Sequence, residues 1–348
     1  MNRISQDVTT RRAAFLSKSA FAFFDQRGLA LDRLKASVIP KFPDATAMLI
    51  TSSPVQGLAT ETSDIDLIAI AEEGGGGMAT QIYVDGHHAE VALITPLALD
   101  EVFAKLSNTS EASLQETIAT MRDWDETQPV KKKYLERVIN GVTFDGNVQF
   151  RHMFQPLAWG FAAQAFGRMI DALAAMKLAL AAGETRAPWI YALAAIDHAM
   201  DVVLCNAGYV YQNRKWIASR WRQHGSDALD AHPGLVAART LGDEAFLAMR
   251  ALQDGQPDGL VDWIDLVVAE LAEVMGCAAR IGLKCKPAVE CRTLGSGAIV
   301  AIGSHRSVML LGNETLPDWI SLQDAQSVGA QRYLSALRAG VMTAEVAA

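Results

Sequence analysis

Residues 52–70 read SSPVQGLATETSDIDLIAI, and two aspartates, Asp64 and Asp66, stand at the head of an apolar run. Leu67, Ile68, Ala69 and Ile70 continue that run as a buried β-strand would, and Thr62 and Ser63 open it. Burying one unpaired carboxylate is costly, and burying two side by side is worse without a cation to compensate them. The stretch therefore implies either a metal or an exposed strand end. Side chains alternate faces along a strand, so Asp64 and Asp66 share one face while Ile65 and Leu67 share the other. Two carboxylates on one face suit Mg²⁺, a hard cation that takes oxygen ligands. Taken alone the pair is a weak signal, because most such pairs are solvated surface positions.

Two further features strengthen it. Upstream, Ser53 and Gly57 precede Asp64 in a segment that leaves a strand, ATAMLITSS. A strand ending there, followed by a turn and a helix start, would aim backbone N–H groups and the Ser53 hydroxyl at an anion. Downstream, Glu90 lies inside the apolar segment AEVALI. If that strand neighbours the first, Glu90 completes a cluster of three acids around divalent ions, the arrangement used for in-line displacement at phosphorus. The cluster requires Glu90 to meet Asp64 and Asp66, with no lysine or arginine filling the point where they meet.

The pattern Ser53-x3-Gly57-x6-Asp64-Ile65-Asp66, followed by an acid on a later strand, resembles the DNA polymerase β-type nucleotidyltransferase superfamily, above all its minimal and aminoglycoside-type members with a helical C-terminal domain. The resemblance covers roughly residues 45–95. It implies that Ser52, Ser53 and Gly57 contact the phosphates of a nucleoside triphosphate, ATP in the first instance. It also implies that Asp64, Asp66 and Glu90 hold Mg²⁺ and carry the catalysis. The chain departs from the family at Ser52, where the first motif glycine stands, and at Gln56, where an arginine is frequent. The implied reaction moves a nucleoside monophosphate to a hydroxyl and releases pyrophosphate. A small-molecule acceptor is preferred over a protein side chain, and the alternative is a nucleotide-binding module without catalysis.

In relatives with a helical domain, that domain covers the nucleotide. The stretch VVLCNAGYVYQNRKWIASRWRQ resembles a segment found there, and Lys215, with Arg214 or Arg220 beside it, would neutralise the triphosphate; the alternative is a basic solvated face over Trp216 and Trp221. The run Lys131-Lys132-Lys133 is expected to be a solvated helix start. Asp197, His198 and Asp201 fall on one helix and are expected to make structural contacts rather than serve as a base. His87 and His88 are expected as strand or turn residues, since alternation lets at most one of them join the acids.

The chain has 348 residues and a formal net charge of −8. That balance argues against long nucleic acid as the partner, which demands many cations. The four cysteines, Cys205, Cys277, Cys285 and Cys291, contain no CxxC pair, which points to free thiols in a reducing cytoplasm rather than a zinc site. The N-terminus lacks the uninterrupted apolar core of a signal peptide, and Phe154 to Gly167, the longest uncharged apolar stretch, is too short to span a bilayer. A cytoplasmic protein without a membrane partner is expected.

The expected fold class is α+β. A small mixed-sheet domain occupies residues 1–125, with a helix from about 8 to 39, a hairpin turning at Asp85-Gly86, and a loop at Gly74 to Gly77. A helical bundle follows at 126–285, with helices near 130–141, 148–183, 187–206, 243–254 and 258–283. A C-terminal module at 286–348 carries a β-hairpin turning at Gly303-Ser304 and a helix from 321 to 339.

Overall fold

The computed structural model describes residues 6–72, 80–242, 258–278, 280–286, 290–293, 299–302, 308–312 and 316–346. The chain is α+β, as its pattern predicts. It forms two compact units, one of Asn2–Ala162 with Leu204–Ala228, the other of Ala163–Val203 with Leu229–Ala348. The expected Gly74 to Gly77 loop and the 243–254 helix lie outside the described residues.

The first unit begins with a correction. The helix expected to run to residue 39 is two helices, α1 (Gln6–Arg27) and α2 (Leu31–Val38). Gly28, at φ 61°, stops the first in the left-handed conformation that helix C-termini favour.

Strand β1 (Ala45–Ile50) then leads through the motif turn to β2 (Ile65–Ala71). Strands β3 (Thr80–Val84) and β4 (His87–Ile94) form the expected hairpin. Asp85 and Gly86 both have positive φ, 48° and 83°, as a type I′ turn requires. β4 also pairs in parallel with β2, Ile65 against Ala89 and Asp66 against Glu90, while β1 pairs antiparallel on the other side of β2. With β5 (Val142–Thr143) added beyond β1, the sheet order is β3-β4-β2-β1-β5. An interior strand is covered on both faces, and so Leu67 and Ile68 are both buried. Each such side chain contributes about 1.5–3 kcal/mol. In β4, Ala89 and Val91 are buried, while His88 and Glu90 share the other, partly exposed face.

Helices α3 (Pro96–Thr109), α4 (Leu114–Thr127) and α5 (Lys132–Ile139) follow β4 in the chain. α4 starts at a capping box between Ser113 and Glu116. The lysine run at the head of α5 is not uniformly solvated. Lys131 and Lys133 are exposed, whereas Lys132 is buried and donates from Nζ to the Met121 carbonyl at 2.6 Å. Its apolar stem packs inside while its charge is satisfied by a carbonyl and the Asp125 carboxylate at 3.8 Å.

The long alanine-rich segments form α6 (Phe154–Ala181) and α7 (Ala187–Asn206), followed by α8 (Ile217–Asp230). Among the described residues one helix, Ala187–Asn206, is long and apolar enough to cross a membrane, and 61% of its apolar window is buried inside the protein, as in a core helix. The helix expected over 258–283 is shorter: α9 (Asp258–Val274) gives way to Gly276 at φ 74°. Ile281–Cys285 is instead a strand, β6, because its neighbours are strands. The segments 290–293, 299–302 and 308–312 form β7, β8 and β9 of a separate antiparallel sheet. The expected hairpin is the β8–β9 pair; its turn, with Gly303-Ser304, lies outside the described residues. β10 (Trp319–Ser321) and β11 (Met342–Val346) flank β6, joined by α10 (Leu322–Arg338).

Candidate functional site

The site grows from the turn between β1 and β2. Thr51 donates to the Asp66 carbonyl through both its backbone N–H, at 2.9 Å, and its hydroxyl, at 3.1 Å. The chain then reverses at Ser52, whose φ of 67° is the left-handed conformation usually left to glycine. This is the position where the resembling family carries its first motif glycine. Gly57 closes the turn at φ 65°, and a Cβ there would stand 3.1 Å from Gln223 Nε2 and 3.2 Å from Ser19 Oγ. Gly57 thus shapes the turn and does not line the cleft beside it.

That cleft has a volume of about 490 Å³, within the range of small-molecule sites. Hydroxyls line it at Ser52, Ser53, Thr60, Thr62 and Ser63, and the acids Asp64 and Asp66 open into it. Two cations, Arg137 from α5 and Lys215 from the segment before α8, line it as well, together with Tyr211, Asn213 and Trp216. Lys215 lies 5.2 Å over the Trp216 ring. Sequence motifs separated by 150 residues therefore meet at one opening. Of the neighbouring cations, Arg214 does not line it, and Arg220 is buried, donating to the Tyr211 carbonyl at 3.1 Å and the Tyr209 carbonyl at 2.5 Å. Asp197, His198 and Asp201 belong to the other unit and do not line it.

The acids are arranged differently from the expected cluster. Asp64 sits just before β2 with its side chain 61% exposed, its Oδ1 3.1 Å from His88 Nδ1. Asp66 is 19% exposed and paired with Arg137, whose Nη1 donates to Oδ1 at 3.0 Å while Nη2 donates to Ser52 Oγ at 3.2 Å. Glu90 is the register partner of Asp66 on β4 but does not line the cleft. Among the described residues no group of three His, Cys, Asp or Glu is placed to hold a metal ion. Where the expected cluster of Asp64, Asp66 and Glu90 would hold a cation, Arg137 pairs with Asp66 and His88 meets Asp64. Of the three expected metal ligands, Asp64 and Asp66 line the cleft and Glu90 does not.

Beneath the turn lies a buried polar network. Gln56 accepts from Arg12 Nη2 and donates from Nε2 to Glu136 Oε1 at 3.3 Å and the Val210 carbonyl at 3.4 Å. Asn140 Nδ2 donates to the same Glu136 oxygen at 2.8 Å. Arg12, from α1, brings a positive charge to Gln56 and packs between the rings of Phe15 and Tyr209 at 5.5 and 5.4 Å. Burial, with Arg220 nearby, lowers the Arg12 pKa to about 10, and burial pushes the Glu136 carboxyl upward. Tyr211, whose hydroxyl is 3.4 Å from Ser52 Oγ, is raised by burial to about 12 and stays protonated.

Arg137, Arg12 and the contact of His88 with Asp64 are the site features that the motif did not announce. His88 had a signal: the 64–88 spacing follows from the parallel register once β2 and β4 are paired. Arg137 had none, being one cation in a helix 71 residues beyond Asp66.

A family model described as a family of unknown function, DUF6001, matches residues 5–348. The chain belongs to that family. A search of curated proteins finds no match for this DUF6001 member. Among solved structures, a nucleotidyltransferase-like protein from Exiguobacterium sibiricum is similar to it at 12% identity, with a TM-score of 0.30 over 71% of this chain and 79% of that one.

Proposed function

We propose that the cleft binds a nucleoside triphosphate, ATP in the first instance, and transfers its nucleoside monophosphate to an acceptor hydroxyl with release of pyrophosphate. One observation carries this reading. Asp64 and Asp66 open into the same cleft as the Ser52-Ser53 turn and Lys215, with Glu90 in register beside Asp66. Ser52, Ser53 and the turn backbone would hold the phosphates, and Lys215 would offset their charge. Asp64 and Asp66 would hold Mg²⁺, which when bound supplies positive charge to the phosphate oxygens. The acceptor oxygen forms its bond to the α-phosphorus as the bond to the β-phosphate oxygen breaks, and the acceptor's proton passes to water in the open cleft. A cationic small molecule is the favoured acceptor, since the chain carries a net charge of −8; a protein side chain ranks second.

The Arg137–Asp66 ion pair favours a second reading, a nucleotide-binding module on the same fold without transfer. Measuring Mg²⁺-dependent ATP binding alongside pyrophosphate release across a broad acceptor screen separates the two. Transfer predicts release that Asp66→Asn abolishes in a chain whose circular dichroism still shows it folded. Binding with no release under any acceptor selects the module, and full activity in Asp66→Asn removes the catalytic assignment.

A further inference from the structure

The cleft's central ion pair says more about how its ligands enter, an inference that rests on the nucleotide reading above. Arg137 spans two partners, Asp66 Oδ1 at 3.0 Å and Ser52 Oγ at 3.2 Å. Its side chain is 12% exposed and that of Asp66 19%. At that burial each charge depends on the other for compensation, and removing one strands its partner. A divalent cation on Asp66 would therefore set two positive charges side by side, with the guanidinium losing its counter-charge. Like charges so close are strongly unfavourable unless the guanidinium gains another anion. The planar fork of an arginine matches two oxygens of a phosphate as well as it matches a carboxylate. The cleft it already lines is large enough for a polyphosphate and is rimmed with hydroxyls.

We propose that Arg137 is an exchange residue. It holds Asp66 until a polyphosphate enters, then shifts its fork to the phosphate and leaves Asp66 to the divalent cation. Metal and nucleotide then bind as a coupled pair, each raising the other's affinity by the same factor. The absence, among the described residues, of any three-ligand metal group fits this arrangement, because the cation's remaining ligands arrive with the phosphate.

The test uses the full chain and two probes kept apart, so that they cannot chelate one another. Mn²⁺ binding is read by electron paramagnetic resonance without phosphate, and inorganic tripolyphosphate binding by calorimetry in a metal chelator. Arg137→Gln should bind Mn²⁺ about tenfold tighter than the native chain and tripolyphosphate about tenfold weaker, within the usual size of coupling between sites. Asp66→Asn should do the reverse, losing Mn²⁺ and binding tripolyphosphate several-fold tighter because its arginine is released; this variant carries the test if Arg137→Gln does not fold. Loss of both ligands in a folded Arg137→Gln, or Mn²⁺ binding unchanged in it, overturns the exchange. Failure of the native chain and of Asp66→Asn to bind tripolyphosphate at all would instead sink the nucleotide reading beneath it.

Discussion

Ser52 pays a conformational cost that a glycine would not. An L-residue at φ 67° loses about 1–2 kcal/mol to the clash of its Cβ with the following carbonyl. What the hydroxyl returns is visible: it accepts from Arg137 at 3.2 Å and lies 3.4 Å from the Tyr211 hydroxyl. A hydrogen bond to a charged donor contributes about 1.5–3 kcal/mol net, enough to offset the strain. The two contributions separate in a pair of variants. Ser52→Gly loses the bond but relieves the backbone, while Ser52→Ala loses the bond and keeps the strain. Urea unfolding should find Ser52→Ala less stable than Ser52→Gly by about 1 kcal/mol. Equal stabilities would mean that the backbone at this position is unstrained.

At the scale of elements, the β3–β4 hairpin sets the register that puts His88 beside Asp64 and Glu90 beside Asp66. Its turn depends on positive φ at both Asp85 and Gly86. A Cβ built on Gly86 meets nothing within 4 Å, so a substitution there reports backbone conformation alone. Gly86→Ala should cost about 1 kcal/mol, and Gly86→Asn clearly less, since asparagine tolerates the left-handed region; equal losses in denaturant midpoints would rule out that turn geometry. The hairpin was legible in the sequence because Asp85-Gly86 is a local signal flanked by alternating side chains. The placement of Asp64, Asp66 and Ser53 was legible for the same reason, as strand ends and turns declare themselves within about twenty residues. Other features were decided by distant packing. Lys132 reads as a surface lysine until α4 presents the Met121 carbonyl to it. Ile281–Cys285 continues a helical pattern until β10 and β11 pair with it on either side. Arg137 belongs to this class: nothing near it in sequence tells a site arginine from a solvated one, and it meets Asp66 and Ser52 only once the fold brings α5 to the turn between β1 and β2.

At the scale of the whole molecule, the chain's response to acid should carry the mark of one buried ring. His224 stacks on Tyr209 with ring centroids 4.1 Å apart and meets Phe15 edge-on at 4.9 Å. Burial first, then the positive charges of Arg12 and Arg220, lowers its pKa from 6.5 to about 3. Between those values the unfolded chain binds a proton at this position and the folded chain does not, so stability rises with pH across the window. Its contribution is fully present above pH 6.5 and declines as the solution is acidified toward pH 3. Each pH unit inside the window is worth about 1.4 kcal/mol from this one group. Glu136 works in the opposite sense. Burial raises its carboxyl above 4.5, so its share of stability is whole below that value and declines as pH rises through the folded one. The two effects are separable by substitution. Passing from pH 7 to pH 5, the native chain should lose about 2 kcal/mol more unfolding free energy than His224→Gln, whose amide carries no proton in either state. Parallel urea curves for the two proteins at both pH values would show that His224 keeps an ordinary affinity for its proton, and with it that the ring is not shielded from water as this packing requires.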